Sequence, residues 1–163
     1  MQQPIIRPIL SGDDAALGNL IKAVLTEFKA NKPGTAYFDE ATLHLSKVFE
    51  DPAAAYWVIE EAGKVIGGGG IFPTTGLPHG TCELVKLYLY PEARGRGLGK
   101  AIINRCFERA IELRYTSIYL ESLPELSAAV SMYEKLGFEH QCNALGNSGH
   151  FGCTIWMVKK DLF

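Results

Sequence analysis

The chain begins with apolar residues split by a proline: Ile5 and Ile6, then Arg7-Pro8, then Ile9 and Leu10. Proline removes a ladder donor, so this stretch predicts a short strand at a sheet edge. The period then lengthens. Ala16, Leu17, Leu20, Ile21, Val24, Leu25 and Phe28 fall on one helical face, after Ser11-Gly12-Asp13-Asp14 and before the breaker Lys32-Pro33-Gly34. A second helix is predicted from Asp39, an N-cap residue type, through Leu43, Leu45 and Val48 to Asp51-Pro52.

From Tyr56 the pattern becomes that of strands. Tyr56–Glu60 and Val65–Phe72 flank Glu61-Ala62-Gly63-Lys64, which predicts a hairpin. Gly67 to Gly70 lie within its second arm, where glycines mark a bulge or a close approach of backbone or ligand. Residues 73–80 read as loop. Cys82–Tyr90 is almost continuously apolar, as in a central strand covered on both faces. Beyond Pro91-Glu92-Ala93, Leu98, Ile102, Ile103, Cys106, Phe107, Ala110 and Ile111 predict a long helix. Thr116–Leu120 is a strand. Leu126–Leu136 is a helix stopped by Gly137, and Phe138 opens another strand. Residues 143–149 are loop, and Ile155–Val158 is the last strand. The strand–helix–strand run from Cys82 to Leu120 predicts a right-handed parallel βαβ unit. No repeat or linker interrupts the pattern, so one domain over residues 1–163 is expected.

Composition narrows the function. With 163 residues, 47% hydrophobic and 21% charged, the chain has the size and balance of one globular domain. A net charge of -2 lacks the basic excess that a nucleic-acid partner requires. No apolar run approaches the roughly 20 residues that span a bilayer, and no charged-then-apolar leader opens the chain. Cys82, Cys106, Cys142 and Cys153 form no CxxC and no zinc spacing, which predicts a reduced, cytoplasmic chain with no metal. His44, His140 and His150 show no ligand spacing either, and the loop residue His79 reads as solvated. Tyr88 and Tyr90 are available either to an acceptor site or to packing.

The richest chemistry lies at Arg94-Gly95-Arg96-Gly97-Leu98-Gly99-Lys100, between a buried strand and a helix start. Backbone N–H groups there lack intrahelical partners, and the helix dipole adds positive potential. Glycine permits close approach of a large anion, and the two arginines supply forked donors. The turn suits a phosphate or pyrophosphate. It is not a Walker loop, because Ala101 follows Gly99-Lys100 and Arg94 stands where the first glycine is needed. It is not a dinucleotide fingerprint, because Lys100 occupies the third glycine position.

The segment Arg94–Gly99 is similar to the (Q/R)-x-x-G-x-(G/A) motif of the GCN5-related N-acetyltransferase (GNAT) superfamily. Tyr133-Glu134-Lys135-Leu136-Gly137-Phe138 resembles that family's Y-x-x-x-G-F signature, and the element order matches from about residue 4 to residue 160. The resemblance implies a mixed α/β GNAT fold: a central, splayed sheet of about six to seven strands flanked by about four helices. It implies an N-acetyltransferase that moves the acetyl group of acetyl-CoA directly to a primary amine of a small molecule or peptide. A non-catalytic coenzyme A-binding module of the same fold is the alternative, and longer acyl groups or a hydroxyl acceptor stay open. A homodimer is compatible with this fold.

By the same resemblance, the backbone across Arg94, Gly95, Arg96, Gly97, Leu98, Gly99 and Lys100 holds the pyrophosphate, and Leu87, Tyr88 and Leu89 pair with the pantetheine arm. A main-chain N–H near Leu87 serves the carbonyl oxygen. Glu83, at the start of the central strand, is the candidate base, acting directly or through water, and Glu121 is the competing carboxylate. Tyr133 is the candidate acid for the departing thiolate, its other role being core packing. Many relatives carry an Asn where this chain has Leu126, a departure that bears on a side-chain contact to the arm and not on binding itself. Segments before residue 52 and the loops 73–80 and 143–149 are expected to shape the acceptor pocket.

Overall fold

A computed structural model describes residues 2–163. Its centre is a seven-stranded sheet in the order β1-β2-β3-β4-β5-β7-β6. These strands are β1 (Ile5–Pro8), β2 (Ala55–Glu61), β3 (Lys64–Phe72), β4 (Thr81–Leu89), β5 (Ser117–Ser122), β6 (Glu139–Gln141) and β7 (Ile155–Lys159). β1, with its proline, sits at one edge as its composition requires. β4 and β5 are the parallel pair, joined through helix α3 (Leu98–Glu112), and every other pairing is antiparallel.

Each face of the sheet has its own core. α1 (Asp14–Glu27) buries Leu17, Leu20, Ile21, Val24 and Leu25 against Tyr56 and Val58. On the other face, α3 and α4 (Ser127–Lys135) cover Ile71, Cys82, Leu84, Ile118 and Leu120. Gly137, at φ +91°, ends α4 as its position predicts.

The predicted helix from Asp39 to Asp51 does not form as one element. Only α2 (Leu45–Val48) is α-helical, preceded by 3-10 turns at Ala36–Phe38 and Glu40–Leu43. Side chains tie this segment into separate turns. Asp39 accepts from the Ala41 amide at 3.0 Å, as an N-cap should, and the Thr42 hydroxyl donates to the Ala36 carbonyl at 2.7 Å. Asp14 takes both the Ser46 amide and the Ser46 hydroxyl at 2.7 Å. Such local bonds compete with the helical ladder and here they win.

The glycine run does mark a bulge, with the extra residue on its neighbour. Gly68 faces Tyr88 and Gly70 faces Val85, so Lys86 and Leu87 of β4 share Gly69. Lys86 takes the left-handed conformation, φ +53°, and the Tyr56 hydroxyl donates to its carbonyl at 2.8 Å. The bulge switches side-chain parity. Cys82 and Leu84 point toward α3 before it, and Leu87 and Leu89 do so after it. Any side chain on Gly69 would lie 2.8 Å from Leu87 and 2.9 Å from Ile102, which accounts for the glycine.

Candidate active site

β4 and β5 pair only from Thr81↔Ser117 to Glu83↔Tyr119, then diverge. The opening holds a cavity of about 360 Å³. Leu87, Tyr88 and Leu89 form one wall, and Ala129, Met132 and Tyr133 of α4 form another. Gly95, Gly97, Leu98, Gly99 and Lys100 close one end, and Val24 and Phe28 of α1 lie against it. The predicted residues of the glycine turn, Arg96 excepted, therefore converge on one space, together with the strand segment beside it.

Gly97 caps α3 at φ +76°, and Gly95 sits at φ +69°. A Cβ on either would meet no protein atom within 4 Å. The glycines are thus required by backbone conformation, and the surface above them is open to a bulky anion. The first-turn amides of α3 point outward there without helical acceptors. These features fit a diphosphate.

The arginines part company. Arg94 lines the cavity while its guanidinium forks onto Glu27 at 2.7 and 2.9 Å. Arg96 turns away, onto Glu61 at 2.6 Å and the Glu92 carbonyl at 3.2 Å. The sequence offers no warning, because Glu61 lies on β2 and meets Arg96 only in the folded sheet. Tyr133 is buried, edge-to-face with Phe138 at 5.8 Å, yet also reaches the cavity wall, so packing and access to the cleft coexist in one residue. Burial raises its phenol above the ordinary range, which keeps it a proton donor.

Past the bulge end of this cavity lies a second one of about 50 Å³, which Tyr88 also lines. Register puts Glu83 beside Tyr119, so both project from the same sheet face, with Glu121 next along β5. Glu83 is only 3% exposed. Burial pushes its carboxyl up to about 7, aided by Glu121 and opposed by the Thr74 hydroxyl that donates to it. Glu121 accepts from the Tyr119 hydroxyl at 2.7 Å and from the Ser148 hydroxyl.

Beside them stands a trio no sequence pattern announces. Asp39 accepts from Lys86 at 2.5 Å and bonds His150 Nε2 at 3.0 Å. The bonded His150 and the nearby Lys86 charge hold Asp39 well below the usual carboxylate range. His150, Glu83 and Glu121 each offer a ligand atom within 4.8 Å of the others, a donor set of the kind that takes a divalent cation. The histidine spacing concealed this cluster, because its members come from three separate segments. His79 is exposed and lines neither cavity. Tyr90 packs in the α1 core.

Of the segments expected to shape an acceptor pocket, the one before residue 52 lines the second cavity through Thr35 and Ala36, whereas loops 73–80 and 143–149 stand behind its lining, and His150 and Cys153 come from just beyond the latter. The Asn147 amide donates to the Thr75 carbonyl at 2.7 Å, and the Gly152 amide to the Gly34 carbonyl at 2.9 Å. The Leu145 amide donates to the Tyr119 hydroxyl at 3.0 Å. Burial pushes the Cys82 and Cys153 thiols up to about 12, so neither is a ready nucleophile.

A family model described as the acetyltransferase (GNAT) family matches residues 20–138. The chain is 39% identical over 161 residues to an uncharacterized N-acetyltransferase of Escherichia coli (strain K12), YjgM, covering 98% of this chain and 96% of that protein. A GNAT-family acetyltransferase of Staphylococcus aureus Mu50 superposes with a TM-score of 0.83 at 14% identity, covering 99% of this chain and 100% of that one. The PaiA N-acetyltransferase of Thermoplasma acidophilum, solved in complex with coenzyme A, gives 0.75 at 17% identity over 97% and 99% of the two chains.

Proposed function

The chain belongs to the GNAT acetyltransferase family and is an N-acetyltransferase, and from that premise we propose how its residues divide the work. Acetyl-CoA, when bound, supplies the acetyl group and the thiol that leaves. The open amides from Gly95 to Lys100 hold its diphosphate, and the exposed edge of β4 from Leu87 to Leu89 holds its arm. Arg94 contributes a forked donor by exchanging Glu27 for phosphate. That exposed pair is worth at most about 1 kcal/mol, so the exchange is cheap. Arg96, committed to Glu61 outside the cavity, contributes little.

Glu83 removes a proton from the acceptor's ammonium, which frees the nitrogen lone pair for attack on the acetyl carbonyl. A β4 amide at the bulge donates to the carbonyl oxygen. Tyr133 donates to the departing sulfur as the C–N bond forms and the C–S bond breaks. The second proton on the nitrogen restores the Tyr133 phenol by way of solvent, and the proton on Glu83 passes to solvent. Direct transfer agrees with the high thiol values of Cys82 and Cys153, which make neither of them a ready carrier of the acetyl group. The free state of all four cysteines supports a reducing, cytoplasmic setting. No helix among the described residues is long and apolar enough to cross a membrane.

The single observation that carries this assignment is Glu83, 3% exposed and pushed up to about 7, at the point where β4 and β5 part. A base works best when its pKa lies near the operating pH. Glu83→Gln is expected to lower kcat roughly 100- to 10,000-fold, with coenzyme A affinity within about twofold of wild type. Initial rates of thiol release and calorimetric titration measure the two quantities. Equal loss of both would assign Glu83 to binding or folding instead.

A further inference from the structure

Glu121 is not needed as a base if Glu83 serves, yet it is held with unusual care. Both of its oxygens accept side-chain hydroxyls, one from Tyr119 on its own strand and one from Ser148 in the loop 143–149. The ligand atoms of Glu83 and Glu121 lie within 4.8 Å of each other. One ammonium donating to two oxygens at about 2.8 Å each, at a tetrahedral angle, sets those oxygens roughly 4.6 Å apart. A separation of no more than 4.8 Å lets a single –NH₃⁺ group reach both carboxylates at once.

The charges around the two carboxylates point the same way. Lys86, with its side chain only 7% exposed, is 2.5 Å from Asp39, and His150 Nε2 bonds the same Asp39 oxygen at 3.0 Å. The formal charges of Lys86 and Asp39 cancel. Glu83 and Glu121 remain; among the described residues neither is paired with a lysine or arginine, and the neighbouring His150 is bonded to Asp39. Two neighbouring carboxylates repel each other, and a cation between them relieves that repulsion. The cavity of about 50 Å³ admits the ammonium and a carbon or so, which leaves the rest of the acceptor outside. A carboxylate on the carbon next to the nitrogen would therefore sit against Glu83 and Glu121, and the cation nearest to it, Lys86, is already bonded to Asp39.

We propose that the acceptor is a primary amine with no carboxylate beside its nitrogen, an alkyl-, arylalkyl- or polyamine rather than a free α-amino acid, gripped between Glu83 and Glu121. This rests on the transfer reading above and names its substrate class. Glu121 is then the second anchor of the ammonium and a specificity-determining residue.

Matched pairs test it: tyramine against tyrosine, histamine against histidine, cadaverine against lysine. Thiol release is followed with EDTA present, so that no divalent cation occupies the Glu83, Glu121 and His150 position. Binding of each compound to the enzyme–coenzyme A complex is measured by calorimetry. The decarboxylated member of at least one pair is expected to exceed its amino acid by about 100-fold in kcat/KM, as like-charge juxtaposition demands. Glu121→Gln should raise KM for that amine about tenfold, with a smaller change in kcat, and should narrow the ratio between the two members. Amino acids used as well as or better than their amines would overturn the proposal while leaving acetyl transfer intact. So would a ratio unchanged by Glu121→Gln, or failure of every amine to bind. If coenzyme A binds and nothing is acetylated, the transfer reading falls, and the calorimetric preference between pair members still decides this one.

Discussion

The two ends of the cleft are built on opposite plans. At the coenzyme end, a contiguous run from Gly95 to Lys100 presents backbone amides, and the neighbouring wall is the edge of β4. At the acceptor end, side chains from Asp39, Thr74, Glu83, Lys86, Glu121, Ser148 and His150 converge. Asp39 and His150 are 111 residues apart in sequence and 3.0 Å apart in space. Main-chain recognition tolerates many side chains but demands particular φ values, whereas side-chain recognition demands particular residues brought from a distance. On the proposed assignment, the contrast suits one end to a constant ligand and the other to retuning.

The sharpest way to break that contrast is to place a side chain where only backbone should matter. Gly97→Glu puts bulk and like charge over the α3 amides, and coenzyme A affinity should fall by more than about 100-fold in calorimetry. The left-handed φ of +76° adds strain of about 1–3 kcal/mol, which Tm records separately. Gly97→Ala shares that strain without the charge and should keep affinity within about tenfold of wild type. If it loses as much as Gly97→Glu, conformation rather than anion contact governs this end.

A smaller effect sharpens the other end. As the proposed base Glu83 must be ionised to act, so kcat/KM should rise about tenfold per pH unit toward pH 7 and level off above it. Stability runs the opposite way. The folded value of about 7 exceeds the ordinary 4.5, so the folded state binds the extra proton. Glu83's favourable contribution is complete below pH 4.5 and lost as pH rises through 7. Glu83→Gln should therefore raise Tm relative to wild type more at pH 8 than at pH 5. A pH-independent difference in Tm would remove burial as the cause of the shift.

The smallest expected effect is the most discriminating for the coenzyme end. Arg96→Ala should change coenzyme A affinity by less than about threefold, because an exposed pair with Glu61 contributes little. A tenfold loss would mean that Arg96 leaves Glu61 for the ligand, and that side chains share the binding after all.

Legibility in the sequence followed the same division. The glycine turn, α3 and the hairpin were readable because each depends on neighbouring residues and a single period. Glu83 and Tyr133 are reached through resemblance alone, and they line two neighbouring cavities that share Tyr88 and Leu126. Arg96 was read as an anion ligand because its carboxylate partner is on another strand. The helix expected from Asp39 dissolved into turns because Asp14 and Thr42 divert its backbone. The bulge was signalled on the wrong strand: glycines at 67–70 permit it, but a lysine carries the positive φ. Nothing in a local pattern marks Lys86 as the residue whose side chain meets Asp39.

The loops beside the acceptor end are fastened at a few points: main chain to main chain at Asn147–Thr75 and Gly152–Gly34, and through side chains at Ser148–Glu121 and His150–Asp39. Gly34 and Gly152 are fixed by crowding, since a Cβ on Gly152 would lie 2.7 Å from the Pro33 carbonyl oxygen. Substitutions between these rivets leave the canopy attached, so the selectivity of such an enzyme can drift without the scaffold changing.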